Sequence, residues 1–180
     1  MKTKFFIRSL ATAILTVFIS VCGFAQDTPQ LNDAEIASVA VVANQIDIDY
    51  ANLAVATSKN PAVREFANTM INDHKAIIDQ AVALVTKLGV TPQDNAVSKS
   101  LMQQAKETTK TLKAAKGKAF DEAYINNEVA YHKAVIGAVK TLLIPQSQNA
   151  ELKALLETAL PILETHLHHA EMAQSKILKK

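Results

Sequence analysis

Apolar side chains recur in alternating steps of three and four along four long stretches of the chain, the spacing of helices with one buried face. The first stretch opens on Leu31-Asn32-Asp33-Ala34-Glu35-Ile36. Asn32 is placed to cap, Glu35 completes a capping box three residues on, and Leu31 and Ile36 are set for a hydrophobic staple. This helix is expected to reach about Ser58, with Ile36, Val39, Ala43, Ile46, Tyr50 and Leu53 inward. Asn60-Pro61 starts the second helix, with proline at the first helical position, and Leu88-Gly89 ends it. Its inner face reads Val63, Ala67, Met70, His74, Ile77, Ala81, Leu84 and Leu88.

From Asp94 to Ala115 only a thin apolar line remains: Val97, Leu101, Ala105, Thr108 and Leu112. The pattern predicts a peripheral helix about 30 Å long, enough to carry the chain back along its neighbours. The third long helix is expected from about Ala119 to Ile144, with Ile125, Glu128, His132, Val135, Val139 and Leu142 in line. Phe120, Tyr124, Asn127 and Tyr131 form the adjoining stripe. A loop at Pro145–Gln148 and a cap at Asn149 lead into the fourth, whose inner face reads Leu152, Leu155, Ala159, Ile162, His166, His169 and Ala173. Pro161 lies inside that helix and should kink or open it, because it lacks an N–H and crowds the preceding turn. Short links make the first and second pair of long helices antiparallel hairpins. The expected fold is all-α: a ferritin-like antiparallel four-helix bundle with an extra peripheral helix in the crossover between its second and third long helices.

Composition agrees, with no Trp and few Gly or Pro in 180 residues. It also separates the first 25 residues from the rest. Lys2, Lys4 and Arg8 precede an apolar run from Leu10 to Val21, and small residues Gly23 and Ala25 come before Gln26. Residues 1–25 therefore read as a cleaved secretory signal peptide, 26–32 as a lead-in and 33–178 as the folded domain. The expected location is exported, periplasmic or cell-envelope, with no transmembrane segment in the mature chain. The full chain has 19 basic and 17 acidic side chains. Removing the leader takes away three basic groups and no acidic one, so the net charge changes from +2 to −1. No basic face is present, which argues against nucleic acid as a partner. Cys22 is the sole cysteine; acylation there is disfavoured by Val21, which stands where such sites place a small residue.

Chemistry enters through polar residues on the inner faces. His74, Glu128, His132 and His166 fall near the middle of their helices, as do Asp47 and Asp49 on the first. In helices of similar length they share one layer, and buried groups of this kind must be hydrogen-bonded, paired or metal-bound. Glu128 and His132, four apart, share a face, as do His166 and His169, three apart. His168 points elsewhere. Asp47 and Asp49 lie about 200° apart around their helix, so only one can face inward; the pattern does not choose between them.

The chain resembles the exported bacterial proteins catalogued as domain of unknown function 4142, over about residues 33–177. The resemblance rests on Asp47-Ile48-Asp49-Tyr50-Ala51-Asn52-Leu53-Ala54, Asn60-Pro61-Ala62-Val63-Arg64-Glu65-Phe66-Ala67 and Met70-Ile71-Asn72-Asp73-His74. It continues through Phe120-Asp121-Glu122-Ala123-Tyr124, His132 and Leu160-Pro161-Ile162-Leu163-Glu164-Thr165-His166-Leu167. It implies the ferritin-like fold, an envelope location and histidines at positions 74, 132 and 166, but no settled activity. Glutamates are common in the family where Asp47 and Asp49 stand. The Glu-x-x-His pairs of dimetal bundles are missing, since Ile71 and Leu163 precede His74 and His166 by three and Glu128 precedes His132 by four.

Three readings follow. The first is a structural layer in which Asp73, Glu128, Tyr50, Tyr124 and Tyr131 hydrogen-bond the histidines. The alternative is a transition-metal site (Zn, Fe, Mn or Cu) using His74, Glu128, His132 and His166, with Asp47 or His169 as further ligands. The third is an oxidase or peroxide-consuming enzyme acting through that metal. The sequence names no substrate and no partner.

Overall fold

A computed structural model describes residues 28–178. The expected leader and Cys22 lie outside the described residues. Every regular element among the described residues is helical: α1 (Asp33–Thr57), α2 (Pro61–Leu88), α3 (Ala96–Ala114) and α4 (Lys118–Ala138). A π-helical turn (Val139–Leu143), a short α5 (Ile144–Gln146) and α6 (Ala150–Leu178) follow.

Local chemistry sets the boundaries. The Asn32–Glu35 capping box starts α1, and Asn60 caps α2 with Pro61 in its first turn. Gly89 ends α2 at φ 63°, in the left-handed region that favours glycine. Asn95 caps α3 through a second box with Ser98. The third long stretch changes character at its end. Pro145 cannot donate a backbone hydrogen bond, and just before it the helix widens so that Ile144 N–H reaches Val139 O, five residues back. Pro145 and Gln146, expected in a loop, belong to α5. By contrast, α6 runs unbroken through Pro161. The missing donor affects only the carbonyl of Glu157, an exposed residue.

Contacts between helix ends fix the directions. Gln93 N–H bonds Ala34 O, and Asn95 Nδ2 bonds Glu35 O, so α2 ends beside the start of α1. Ser58 Oγ donates to Asp121 Oδ1 at 2.5 Å, which puts the start of α4 at the end of α1. Asp33 accepts from the backbone N–H groups of Gln148 and Asn149, which puts the starts of α1 and α6 together. Hence α2 and α4 run one way, α1 and α6 the other, and α3 returns the chain alongside α1, where it packs.

Two apolar clusters divide the interior. One includes Tyr50, Phe66, Met70, Phe120, Tyr124 and Ile125. The other includes Ile36, Val39, Ile136, Leu143, Leu156 and Leu163. Between them, α1, α2, α4 and α6 contribute buried Asp47, His74, Glu128, His132 and His166. No described helix is long and apolar enough to cross a membrane.

The inner face of α6 differs from the expected one. Leu152, Leu156, Ala159, Leu163, His166, Ala170 and Ile177 are buried, while Leu155 and Ile162 are half-buried and His169 is exposed. Adjacent apolar residues at 155–156 and 162–163 make two stripes equally apolar in the sequence; packing against α4 and α2 selects one.

Candidate metal centre

Each histidine in the central layer has one ring nitrogen committed to a hydrogen-bond acceptor. His74 Nδ1 lies 2.7 Å from Asn44 Oδ1. The Asn44 amide is oriented by its own Nδ2, which donates to Ala40 O at 2.8 Å. His74 Nδ1 therefore carries the proton. His132 Nδ1 lies 3.0 Å from the backbone oxygen of Glu128, an atom that can only accept. His166 Nε2 donates to Asp73 Oδ2 at 2.9 Å. In the neutral imidazole the other nitrogen is then a bare lone pair. These atoms are His74 Nε2, His132 Nε2 and His166 Nδ1, all buried and without a hydrogen-bond partner. The three histidines can each offer one ligand atom within 4.8 Å of the others.

Asp47 joins them. It is fully buried, whereas Asp49 is exposed and accepts from Gln45. Asp47 Oδ2 lies 3.5 Å from His74 Nε2 and 3.6 Å from His132 Nε2. Those separations are too long for good hydrogen bonds. They are close to the edge of a tetrahedron built on metal–ligand bonds of 2.0–2.1 Å, about 3.4 Å. Glu128 lies behind, its Oε2 3.7 Å from His132 Nδ1. Asp47, Glu128 and His132 form a second set of mutually close ligand atoms.

The space and the hydrogen-bond inventory both bear on what fits here. A cavity of about 10 Å³ is bordered by Asp47, His74 and His132 with Ala43, Asn44, Tyr131, Val135 and Leu163. That is about the room of one water or one ion. The bare atoms to be satisfied are the three imidazole nitrogens and the carboxyl oxygens of Asp47 and Glu128. A water, with protons on the two carboxyls, could serve the nitrogens; a cation would serve the nitrogens and Asp47 with both carboxyls ionised.

Electrostatics point the same way. Burial, then the neighbouring His166 and His132, hold His74 down to about 2. Burial holds His132 down to about 4 against the raising effect of its bond to the Glu128 carbonyl. Burial also lowers His166, offset in part by Asp73. All three are neutral at pH 7, the form that binds metal. Burial pushes Asp47 up to about 8, only partly offset by Glu128. Glu128 is driven well above the ordinary carboxylate range by burial and then by the Asp47 charge. Without a cation this pair holds protons near neutrality.

The chain belongs to the family described as Domain of unknown function (DUF4142). The family's sequence model matches residues 23–173. No curated protein and no solved structure matches the chain.

The structure therefore brings together His74, Glu128, His132, His166 and Asp47, five of the residues that the helical repeat singled out. It does not bring in His169, which was expected to follow His166 on the inner face and is instead exposed beside exposed His168. The tyrosines do not satisfy the histidines: Tyr131 donates to Ala43 O, and the Tyr124 hydroxyl has no partner. Asn44 was missed. Its position three residues before Asp47, on the same helix face, was the available signal.

Proposed function

We propose that this protein is an exported, ferritin-like four-helix-bundle protein that binds one transition-metal ion through His74, His132, His166 and Asp47. The observation that carries this reading is the set of bare, buried ligand atoms. The three histidines offer ligand atoms within 4.8 Å of one another, and Asp47 Oδ2 lies 3.5 and 3.6 Å from His74 Nε2 and His132 Nε2. Each histidine is oriented by a hydrogen bond on its opposite nitrogen. Hydrogen bonds of this kind fix the ring and strengthen the ligand in metal sites. Glu128 is the adjacent carboxyl, placed to share the proton of Asp47 or to join the ion. Three imidazoles and one carboxylate suit zinc, copper or iron better than manganese or magnesium. The antiparallel directions of α1/α2 and α4/α6, with α3 as the crossover, support the bundle assignment.

The test is metal analysis of the mature chain purified without chelator, with titration of the metal-free protein. The expected result is about one ion per chain and a rise in Tm on adding Zn²⁺, Cu²⁺ or Fe²⁺. No ion in the purified protein and no shift with any first-row metal would sink the reading.

Proton competition gives an independent check. All three histidines are lowered from the ordinary value of 6.5, so they do not limit binding at pH 7. Asp47, raised to about 8, must lose its proton. Metal affinity should therefore keep rising from pH 6 to about 8 and then level off. Calorimetry in buffers of different ionisation enthalpy should show release of about one proton at pH 6.5. An affinity already flat above pH 6.5 would argue against Asp47 as a ligand.

Export is inferred from the basic start, apolar run and small residues of positions 1–25. Expressed in a bacterium with its leader, the protein should be recovered from the envelope fraction with Gln26 as its first residue. Intact mass gives the answer, and an uncleaved cytoplasmic product would refute it.

A further inference from the structure

We infer that an apolar cavity beside the histidine layer is a binding site for a small, uncharged apolar molecule about the size of benzene. The cavity has a volume of about 160 Å³ and extends through the half of the interior that holds Leu143, Leu152 and Leu156. Every helix except α5 contributes to its wall, and no charged side chain is among its lining residues. It exists because alanine stands at inward positions such as Ala37, Ala81 and Ala159, where a larger aliphatic residue would fill the space. Protein interiors are packed to crystal density, and few voids exceed a water molecule. Apart from Asn44, Gln104 and Tyr131 its lining is apolar; apolar cavities of about this size accept benzene or xenon, and water finds few polar partners in them.

Its two ends give it a direction. Gln104 on α3 and Ala134 on α4 line it and are exposed, which marks a mouth between these two helices. At the inner end, Ala43, Asn44, Tyr131, Val135 and Leu163 line both this cavity and the small space beside Asp47, His74 and His132. A bound molecule would touch Asn44, the side chain that orients His74. The cavity thus leads an apolar ligand from the surface to the flank of the proposed ion site, while excluding ions and polar solutes. Its walls are apolar with or without the ion, so occupancy by such a ligand does not require metal.

The experiment uses the mature protein stripped of metal, with benzene, toluene and xenon as probes. Benzene and toluene should bind saturably by calorimetry and raise Tm by a few degrees. Ala81→Leu and Ala159→Leu, which place a larger side chain in the cavity from α2 and α6, should each weaken benzene binding at least tenfold. Their metal content should equal that of the wild type. No saturable binding to the wild type, or unchanged binding in both variants, would overturn the inference. If neither variant folds, crystals of the wild type under xenon pressure decide the matter: xenon between Ala81 and Ala159 supports it, and xenon elsewhere or absent refutes it. Since the titration is done without metal, failure of the ion reading would leave this result standing, and the reverse also holds.

Discussion

His132→Ala is expected to lose the metal ion altogether while still folding. His132 is 1% exposed and belongs to both sets of close ligand atoms, the one with His74 and His166 and the one with Asp47 and Glu128. Perturbing only a hydrogen-bond partner of a metal ligand typically lowers affinity about 10–100-fold. Removing this shared ligand should exceed about 100-fold, enough to leave the purified protein metal-free. The same change empties the space of a buried ring, which destabilises, but it also removes a bare nitrogen that no protein group satisfies. The metal-free variant should therefore be destabilised by only about 2 kcal/mol. Metal content and denaturant unfolding, measured on the same preparations, separate two explanations. A purely structural layer predicts destabilisation with no difference in metal content, because there would be no metal to lose. His169→Ala is the control: its side chain is exposed and outside the layer, so both quantities should stay at wild-type values.

Asp47→Asn should act in the opposite direction on the metal-free protein and stabilise it. Burial raises this carboxyl from 3.8 to about 8. A carboxyl whose folded value is raised opposes folding only where the unfolded chain would ionise it. The penalty is therefore absent below about pH 4, grows as pH rises, and is complete above about 8. A rise of that size corresponds to an upper limit of about 6 kcal/mol. Relaxation around the site reduces this, and a gain on the order of 3 kcal/mol at pH 8 is expected. Asparagine keeps the shape, and its N–H2 group can donate into a set of atoms that mostly accept. The gap between variant and wild type should open from pH 4 to pH 8 in urea unfolding. It should close or reverse when metal is added, since the variant lacks the Asp47 carboxylate as a ligand. A variant less stable than the wild type without metal at pH 8 would contradict the pH-dependent penalty assigned to Asp47. The histidines contribute their own dependence with the other sign. Held at about 2 and about 4, His74 and His132 favour proton loss on folding, so the neutral fold is at full strength above about pH 6.5 and weakens as pH falls toward those values.

Both effects share one cause. A bundle of aliphatic helices has no intrinsic need for three histidines and two carboxyls in its centre, and each is costly to bury unpaired. Removing Asp47 should relieve the metal-free protein, whereas a structural carboxylate should be missed. That contrast distinguishes a layer retained for binding from one retained for stability.

Much of the fold is legible in the chain itself. Helix starts at Asn32 and Asn60 and the stop at Gly89 follow from capping chemistry, which is local and needs only a few neighbouring residues. The mid-helix positions of His74, Glu128, His132 and His166 follow from the 3.6-residue repeat and similar helix lengths. Tertiary structure decided the rest. Asp47 and Asp49 flank the same apolar seam, and only the placement of the neighbouring helices buries one and leaves the other in water. His166 and His169 both satisfied the repeat, but α6 docks with Ala170 inward, so one residue of rotation exposes His169. The protonated nitrogen of each imidazole depends on acceptors 30, 4 and 93 residues away in sequence, and only the backbone partner four residues off lies within reach of a periodic pattern. Sequence alone determined which residues share the layer's height along the helices; the rotation of each helix about its axis, set by packing, determined which of their atoms are left bare and facing one another.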